Sequence, residues 1–306
     1  MKHKLTIFAC LLTMAGNAQY FEHRYGVSGV DNIGSGQFTD YTGKGHIFSG
    51  QHVVPNASEL ILVRTEQNGD IVPGPYFKNR YKMFDASNTI NYDVLDSKVM
   101  EFNNLTYGVV GVCQIDVATG QQALFYHNLD NLGNPLFGEI LTTFNPALTY
   151  TIHGVRVADS GSEFYLCGMV FDGVQNYAVV MKIDIASGAI IWGNTYMVDS
   201  SVASGEPEEA YDIIEYPLTG DLLVVGQRHV CSTTSDDGFI MHLNPTNGQF
   251  NNTTDFYGDP NGADAFVSID RAAAGGAFYV GGWSGSSLIT RDNWATRFEL
   301  NLILPT

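Results

Sequence analysis

The chain has 306 residues, with 32 acidic against 15 basic side chains and a formal net charge of −17. Such a surface repels nucleic acid and anionic lipid, which need clustered Lys and Arg, while metal cations and neutral sugars stay open as partners. Only 15% of residues are charged, yet no later stretch has the roughly 18 uninterrupted apolar residues of a membrane span.

Residues 1–18 have the layout of an export signal: Lys2 and Lys4, the apolar run Leu5 to Met14, then small Ala15, Gly16 and Ala18. Cleavage after Ala18 leaves a mature chain from Gln19, predicted as one domain over 19–306, exported from a bacterial cell. Cys10 as a lipid anchor is the competing reading, opposed by bulky Phe8 before it. Of the remaining cysteines, Cys113 and Cys167 sit in apolar runs and read as buried free thiols. Three thiols with Cys231 cannot all pair within one chain.

The rest reads as β structure throughout. Short runs of Val, Ile, Tyr, Phe and Thr are bounded by Gly, Asn, Asp and Ser, and no long stretch has a helical period. Tyr20 to Gly26 has the look of a fourth strand placed at the front. First strands follow near Ile33 to Phe38, Asn91 to Leu95, Thr151 to Val157, Ala210 to Tyr216 and Ala265 to Ile269. Between Pro73 and Leu105 the pattern is diffuse, and an extra divergent unit has room there. The clearest unit runs from Ala210 through the turn Leu218 to Asp221, a strand Leu222 to Gln227, another Gly238 to Leu243, and a fourth Gln249 to Phe256. The last unit ends at Trp294 to Leu300 without a fourth strand.

A repeated turn punctuates these units. Asp184-Ile-Ala-Ser-Gly188 leads into Ile190-Ile191-Trp192, and Asp116-Val-Ala-Thr-Gly120 leads into Ala123-Leu124-Phe125. Looser copies stand at Thr65, Asn244 and Glu299, so the anchors lie 51, 68, 60 and 55 residues apart. That period suits four-stranded propeller blades with generous loops. The expectation is a five-bladed all-β propeller whose surplus front strand pairs with the last unit, closing the ring and removing exposed sheet edges.

The Asp184 to Trp192 stretch resembles the tryptophan-docking motif of the PQQ-like repeat propellers, and Asp116 to Gly120 resembles its first half. The long blades and the Asn17-Ala18-Gln19 signal end resemble secreted Bacteroidota repeat propellers. Quinoprotein dehydrogenases of this kind carry a vicinal cysteine pair that the chain lacks, so no PQQ is expected. The resemblance implies a fold and hardly a function.

In a propeller the loops entering the first strands crowd one tunnel mouth, where ligands usually bind. Asp31 and Asn32, Asn88 and Asn91, Tyr150 and His153, Glu208 and Glu209, and Asp264 hold those positions. Read as a ligand site, Asp31, Asn91, Glu209, Asp264 and Trp283 would meet sugar hydroxyls and a sugar face. Read as chemistry, Asp31, Glu209 and Asp264 would share acid, base and orienting roles of a glycosidase. The plain alternative is that they cap strands and face water. Asp259, Asn261 and Asp264 resemble the first half of a calcium loop, but the twelfth position is Asp270 in place of a bidentate Glu, so any cofactor is at most Ca²⁺. His153 and His242 read as packed or hydrogen-bonded strand residues, Trp192 as inter-blade filling. There is no Gly-x-Ser-x-Gly elbow, phosphate loop or metal-spaced His pair.

These observations favour a secreted non-catalytic binding, scaffold or adhesion protein holding a glycan or an extracellular protein. The alternative is a secreted glycoside hydrolase or lyase acting through carboxylates at the mouth. A structural part of a surface assembly is a third reading.

Overall fold

A computed structural model describes residues 32–39, 45–54, 57–66, 70–71, 77–81, 83–84, 91–102, 106–143, 147–197, 208–230, 235–251, 254–258, 262–272, 277–285 and 292–299. All of the regular structure among them is β. The first sheet is β1 (Asn32–Thr39), β2 (Gly45–Val54), β3 (Ala57–Glu66) and β4 (Phe77–Tyr81), in that spatial order. The second adds the short β5 (Met83–Phe84) before β6 (Asn91–Glu101), β7 (Tyr107–Asp116), β8 (Gln121–Leu129) and β9 (Pro135–Thr143). The third is β10 (Thr149–Val157), β11 (Glu163–Phe171), β12 (Asn176–Asp184) and β13 (Ile190–Tyr196).

The fourth sheet has seven strands in two units. One is β14 (Glu208–Tyr216), β15 (Asp221–Val230), β16 (Ser235–Leu243) and β17 (Asp255–Tyr257); the other is β18 (Ala263–Arg271), β19 (Ala277–Gly285) and β20 (Asp292–Glu299). A single parallel pair, Asp236 with Ala263, joins them. All other ladders are antiparallel meanders. Strands β1, β6, β10, β14 and β18 stand where first strands are predicted. The diffuse stretch from Pro73 to Leu105 supplies β4, β5 and β6, with no further sheet among its described residues. No sheet closes on itself among the described residues, and Tyr20 to Tyr25, the expected closing strand, lies outside them.

The core lies between sheets. In β8, Ala123 and Phe125 pack toward the first sheet, whereas Leu124 and Tyr126 pack toward the third. Strand β11 alternates likewise, Phe164 and Leu166 facing the second sheet while Tyr165 and Cys167 face the fourth. In β15, Leu222 and Val224 face the third sheet, and Leu223 and Val225 face β18 and β19. Middle strands covered on both faces therefore read as unbroken apolar runs, each buried large side chain worth about 1.5–3 kcal/mol. Successive first strands also pack on one another, β6 on β10, β10 on β14 and β14 on β18. Sheets stacked face to face around adjoining first strands make the fold propeller-like.

The repeated turn does the work its residues suggest. Asp184 Oδ1 accepts the Ser187 amide at 2.7 Å and the Ser187 hydroxyl at 2.6 Å, while Gly188 takes a φ of 70°. Asn244 Oδ1 accepts the Thr246 amide at 2.8 Å. Both turns join third to fourth strands, but Asp116 to Gly120 joins β7 to β8, second to third. The equivalent turn in that sheet is Asp130 to Asn134, where Asp130 Oδ1 accepts the Leu132 and Asn134 amides at 2.8 Å.

Fourth strands dock on the next unit at this turn. Trp192 Nε1 donates to the Pro245 carbonyl at 3.1 Å, Asn194 Nδ2 to that of Asn247 at 3.1 Å, and Tyr196 OH to that of Gly248 at 2.6 Å. Asn79 Nδ2 and Tyr81 OH reach the Gly133 carbonyl at 3.3 and 2.5 Å. Cys113 and Cys167 are buried and free.

Each first strand carries one extra residue. Its register with the second strand slips between Gly34 and Gly36, Val94 and Asp96, Ile152 and Gly154, Ala210 and Asp212, and Phe266 and Ser268. Near these bulges the first-strand backbone comes close to the second strand. A β-carbon at Gly168 would overlap the Thr151 carbonyl oxygen, and one at Gly226 that of Glu209. Beyond the bulges Arg156 of β10 ties three first strands, its Nε 3.3 Å from the Ile213 carbonyl and its Nη2 3.0 Å from that of Ile269. Asp212, 3.7 Å from Arg156 Nη2, accepts the Ile269 amide at 3.0 Å.

Gly168→Ala or Gly226→Ala should cost about 1–3 kcal/mol through overpacking. Gly120→Ala, at a φ of 74° with open space around it, should cost about 1 kcal/mol. Arg156→Met should cost about 2 kcal/mol by stripping charge-assisted hydrogen bonds from two carbonyls. Urea unfolding monitored by circular dichroism measures all four.

Candidate functional site

The first strands bring a polar constellation together between β10 and β14. Glu209 and Tyr211 are two residues apart on β14, Glu209 opposite Gln227 in the ladder and Tyr211 outside it. Tyr211 is the bulge residue of β14 and His153 that of β10. A bulge leaves its extra residue outside the ladder and re-aims the side chain.

His153 Nε2 lies 3.3 Å from Glu209 Oε2, within ion-pair distance but outside hydrogen-bond geometry. Tyr211 OH donates to the same Oε2 at 2.8 Å, and the His153 and Tyr211 rings sit 4.9 Å apart at 48°. Gln227, opposite Glu209 in the ladder, donates Nε2 to Asp236 Oδ2 at 2.7 Å. That orientation turns Gln227 Oε1 toward Tyr211 OH, at 3.4 Å. Four strands, β10 and β14 to β16, thus fix one chain of polar groups.

Contact with His153, then with Tyr211, holds the Glu209 carboxyl below its ordinary value of 4.5 despite partial burial. It is therefore ionised at neutral pH. The side chains of Glu209 and His153 are each 23% exposed, while His153 Nε2 itself is buried. Among the described residues both polar contacts of Glu209 fall on Oε2. An ionised, partly exposed carboxylate can take a proton, attack a carbon, or stabilise positive charge.

A second carboxyl behaves oppositely. Burial raises the Asp96 carboxyl on β6, against the pull of Lys98 at 3.5 Å and the Ser97 amide at 2.7 Å, and the charge of His153 also reaches it. Burial likewise raises Asp212, which Arg156 partly offsets.

Of the residues singled out from sequence, Glu209 is in the constellation. His153, read as a packed strand residue, belongs to it too. Asp264 does not: it pairs with Ser284 as Glu208 pairs with Arg228, while Ala265 holds the register of Glu209. One residue of offset puts a side chain on the opposite face of a strand, and Asp264 is buried. Trp283 holds on β19 the place of Gln227 on β15 and is half-buried. Asn91 begins β6, its side chain outside the description, and Asp31, Asp259 and Asn261 lie outside the described residues. His242 is buried 3.5 Å from Asp221 and 3.7 Å from Asp255, a packed residue as expected. Tyr211, Gln227 and Asp236 were not foreseen, because a bulge has no signature in the alternation of apolar and polar residues.

No group of three or more His, Cys, Asp or Glu among the described residues is placed to hold a metal ion. No described helix is long and apolar enough to cross a membrane. A separate groove of about 710 Å³ lies on outer strands, lined by Glu59, Arg80, Tyr81 and the turn at Gly133.

No family model matches the chain, and neither does any curated protein. Among solved structures, a protein of unknown function from Dyadobacter fermentans is similar over 85% of this chain and 77% of its own, at 10% identity and a TM-score of 0.53. The GH93 α-L-arabinofuranosidase of Fusarium graminearum, solved with arabinobiose, is similar over 88% of this chain and 83% of its own, at 8% identity and a TM-score of 0.53. An endo-arabinase from Bacteroides thetaiotaomicron aligns over 89% and 94% at 10% identity, with a TM-score of 0.47. At such identities the likeness is one of fold. The arabinofuranosidase among these neighbours is a glycosidase, a finding that goes against the non-catalytic scaffold preferred from the sequence and toward its enzymatic alternative.

Proposed function

We propose that the protein is a glycan-cleaving enzyme, a glycoside hydrolase whose ionised carboxylate is Glu209. The observation that carries this reading is the clamp on Glu209. One carboxylate, contacted on one oxygen by His153 and Tyr211, faces solvent from the first strands of two adjoining sheets. In this reading Glu209 either takes a proton from the water that attacks the anomeric carbon or attacks that carbon itself, with water then hydrolysing the glycosyl-enzyme. Asp96, raised by burial, gives a proton to the leaving oxygen as the glycosidic bond breaks. Arabinose-containing glycans come first as substrates, since an arabinofuranosidase has a similar fold.

Elimination from a uronic acid fits less well, because such a lyase needs a cation for the substrate carboxylate. Lys98 is beside Asp96, and Arg156 beside Asp212 and Asp270. The same reading includes a ring of five units over residues 19–306, closed by Tyr20 to Tyr25 alongside Trp294 to Leu300. It also includes export after removal of residues 1–18, which suits an enzyme whose polymeric substrate lies outside the cell.

Glu209→Gln should abolish release of reducing sugar from arabinan, or from whichever polysaccharide of a panel wild type degrades, while lowering stability by no more than about 1 kcal/mol. Full activity in that variant would refute the assignment. Because Glu209 is held low, the acid limb of the pH–rate profile should fall below 4.5. Tyr211→Phe removes a hydrogen bond to the charged form, so its acid limb should move up and activity at mildly acidic pH should fail first.

A further inference from the structure

We propose that the side chains at the first-strand bulges, Leu95, His153, Tyr211 and Val267, form one stacking subsite for the C–H face of an uncharged sugar ring beside Glu209. The inference rests on the glycan-cleaving reading and adds the surface that would hold the sugar. Five first strands slip register at one equivalent point, and the residue left out of the ladder is Ser35, Leu95, His153, Tyr211 or Val267 in turn. Since consecutive first strands pack on each other, equivalent residues stand at one depth. By that equivalence Leu95 holds on β6 the position of His153 on the adjoining β10, and Val267 holds on β18 that of Tyr211 on the adjoining β14.

Exposure marks these positions out. Leu95 is 37% and Val267 41% accessible, whereas their chain neighbours Val94 and Phe266 are 1% and 0% accessible. Between them stand the His153 and Tyr211 rings, whose polar atoms turn to Glu209. An apolar floor with carboxylate and amide acceptors at its rim matches a sugar ring, which has C–H faces and an equator of hydroxyls. Charge selects against acidic sugars. The described bulge positions carry no Lys or Arg, and Glu209 would repel a uronate.

Calorimetric titration tests the subsite. Glu209→Gln protein, which cannot turn substrate over, is titrated with arabinobiose, xylobiose, mannobiose, cellobiose and digalacturonic acid, then compared with the same protein carrying Leu95→Ala and Val267→Ala. The expected result is that a neutral disaccharide binds best, and that the added substitutions weaken it about 10-fold with unchanged melting. Unchanged affinity in the added variant, preference for digalacturonic acid, or no binding of any probe would each overturn the subsite. The two readings fail separately. Neutral-sugar binding through Leu95 and Val267 without turnover of any glycan by wild type would sink the enzyme and keep the subsite. Turnover abolished by Glu209→Gln, with KM indifferent to Leu95 and Val267, would do the reverse.

Discussion

The extra residue in each first strand is the constraint on which the rest of the molecule turns. A regular ladder sends alternate side chains to the two faces of a sheet, and here both faces are occupied by neighbouring sheets. In that geometry a first strand has little means of presenting a functional side chain. The bulge supplies one, because it takes one residue out of the ladder and turns it away from the packed faces. Room for the leaning backbone comes from the second strand, where Gly168 and Gly226 let the Thr151 and Glu209 carbonyls approach. The site is thus built into the strand pairing, on rigid elements, and does not depend on loop conformation.

Energetics and function divide along the radius. The apolar seams between sheets supply most of the stabilisation, because the middle strands bury side chains on two sides. Toward the outer edge the Asn and Tyr docking bonds fix the first sheet to the second and the third to the fourth. At the inner edge Arg156 and Asp212 hold the first strands of successive units together, just beyond the bulges that carry His153 and Tyr211. The relative placement of Glu209 and His153, on different sheets, follows from these ties. A Glu209 carboxyl held low by its contacts and an Asp96 carboxyl raised by burial are what two environments of unequal polarity make of similar groups.

Much of this architecture was legible in the sequence, for identifiable reasons. All five first strands fall where the alternating runs predict them, since strand periodicity is a local property. The turn chemistry of Asp184 and Asn244 was equally readable. Its place in the topology was not: Asp116 to Gly120 has similar residues, and Asp116 likewise accepts from nearby turn amides and a hydroxyl, yet it joins second to third strands. A motif that satisfies its own amides carries no record of which hairpin it closes. Asp264 failed for a related reason, since acidic residues before two first strands look equivalent until the ladder shows one of them a residue out of step. Tyr211, Gln227 and Asp236 depend on a bulge and on cross-strand neighbours, neither of which a single sequence displays.

The central claim is that the first-strand bulges aim His153 and Tyr211 at one bound sugar beside Glu209. A crystal structure of the Glu209→Gln protein soaked with an arabino-oligosaccharide tests it most directly. The account predicts a sugar ring lying against the His153 and Tyr211 rings, with a glycosidic oxygen near residue 209. Density in the outer groove by Arg80 and Gly133, with the bulge residues bare, would contradict it.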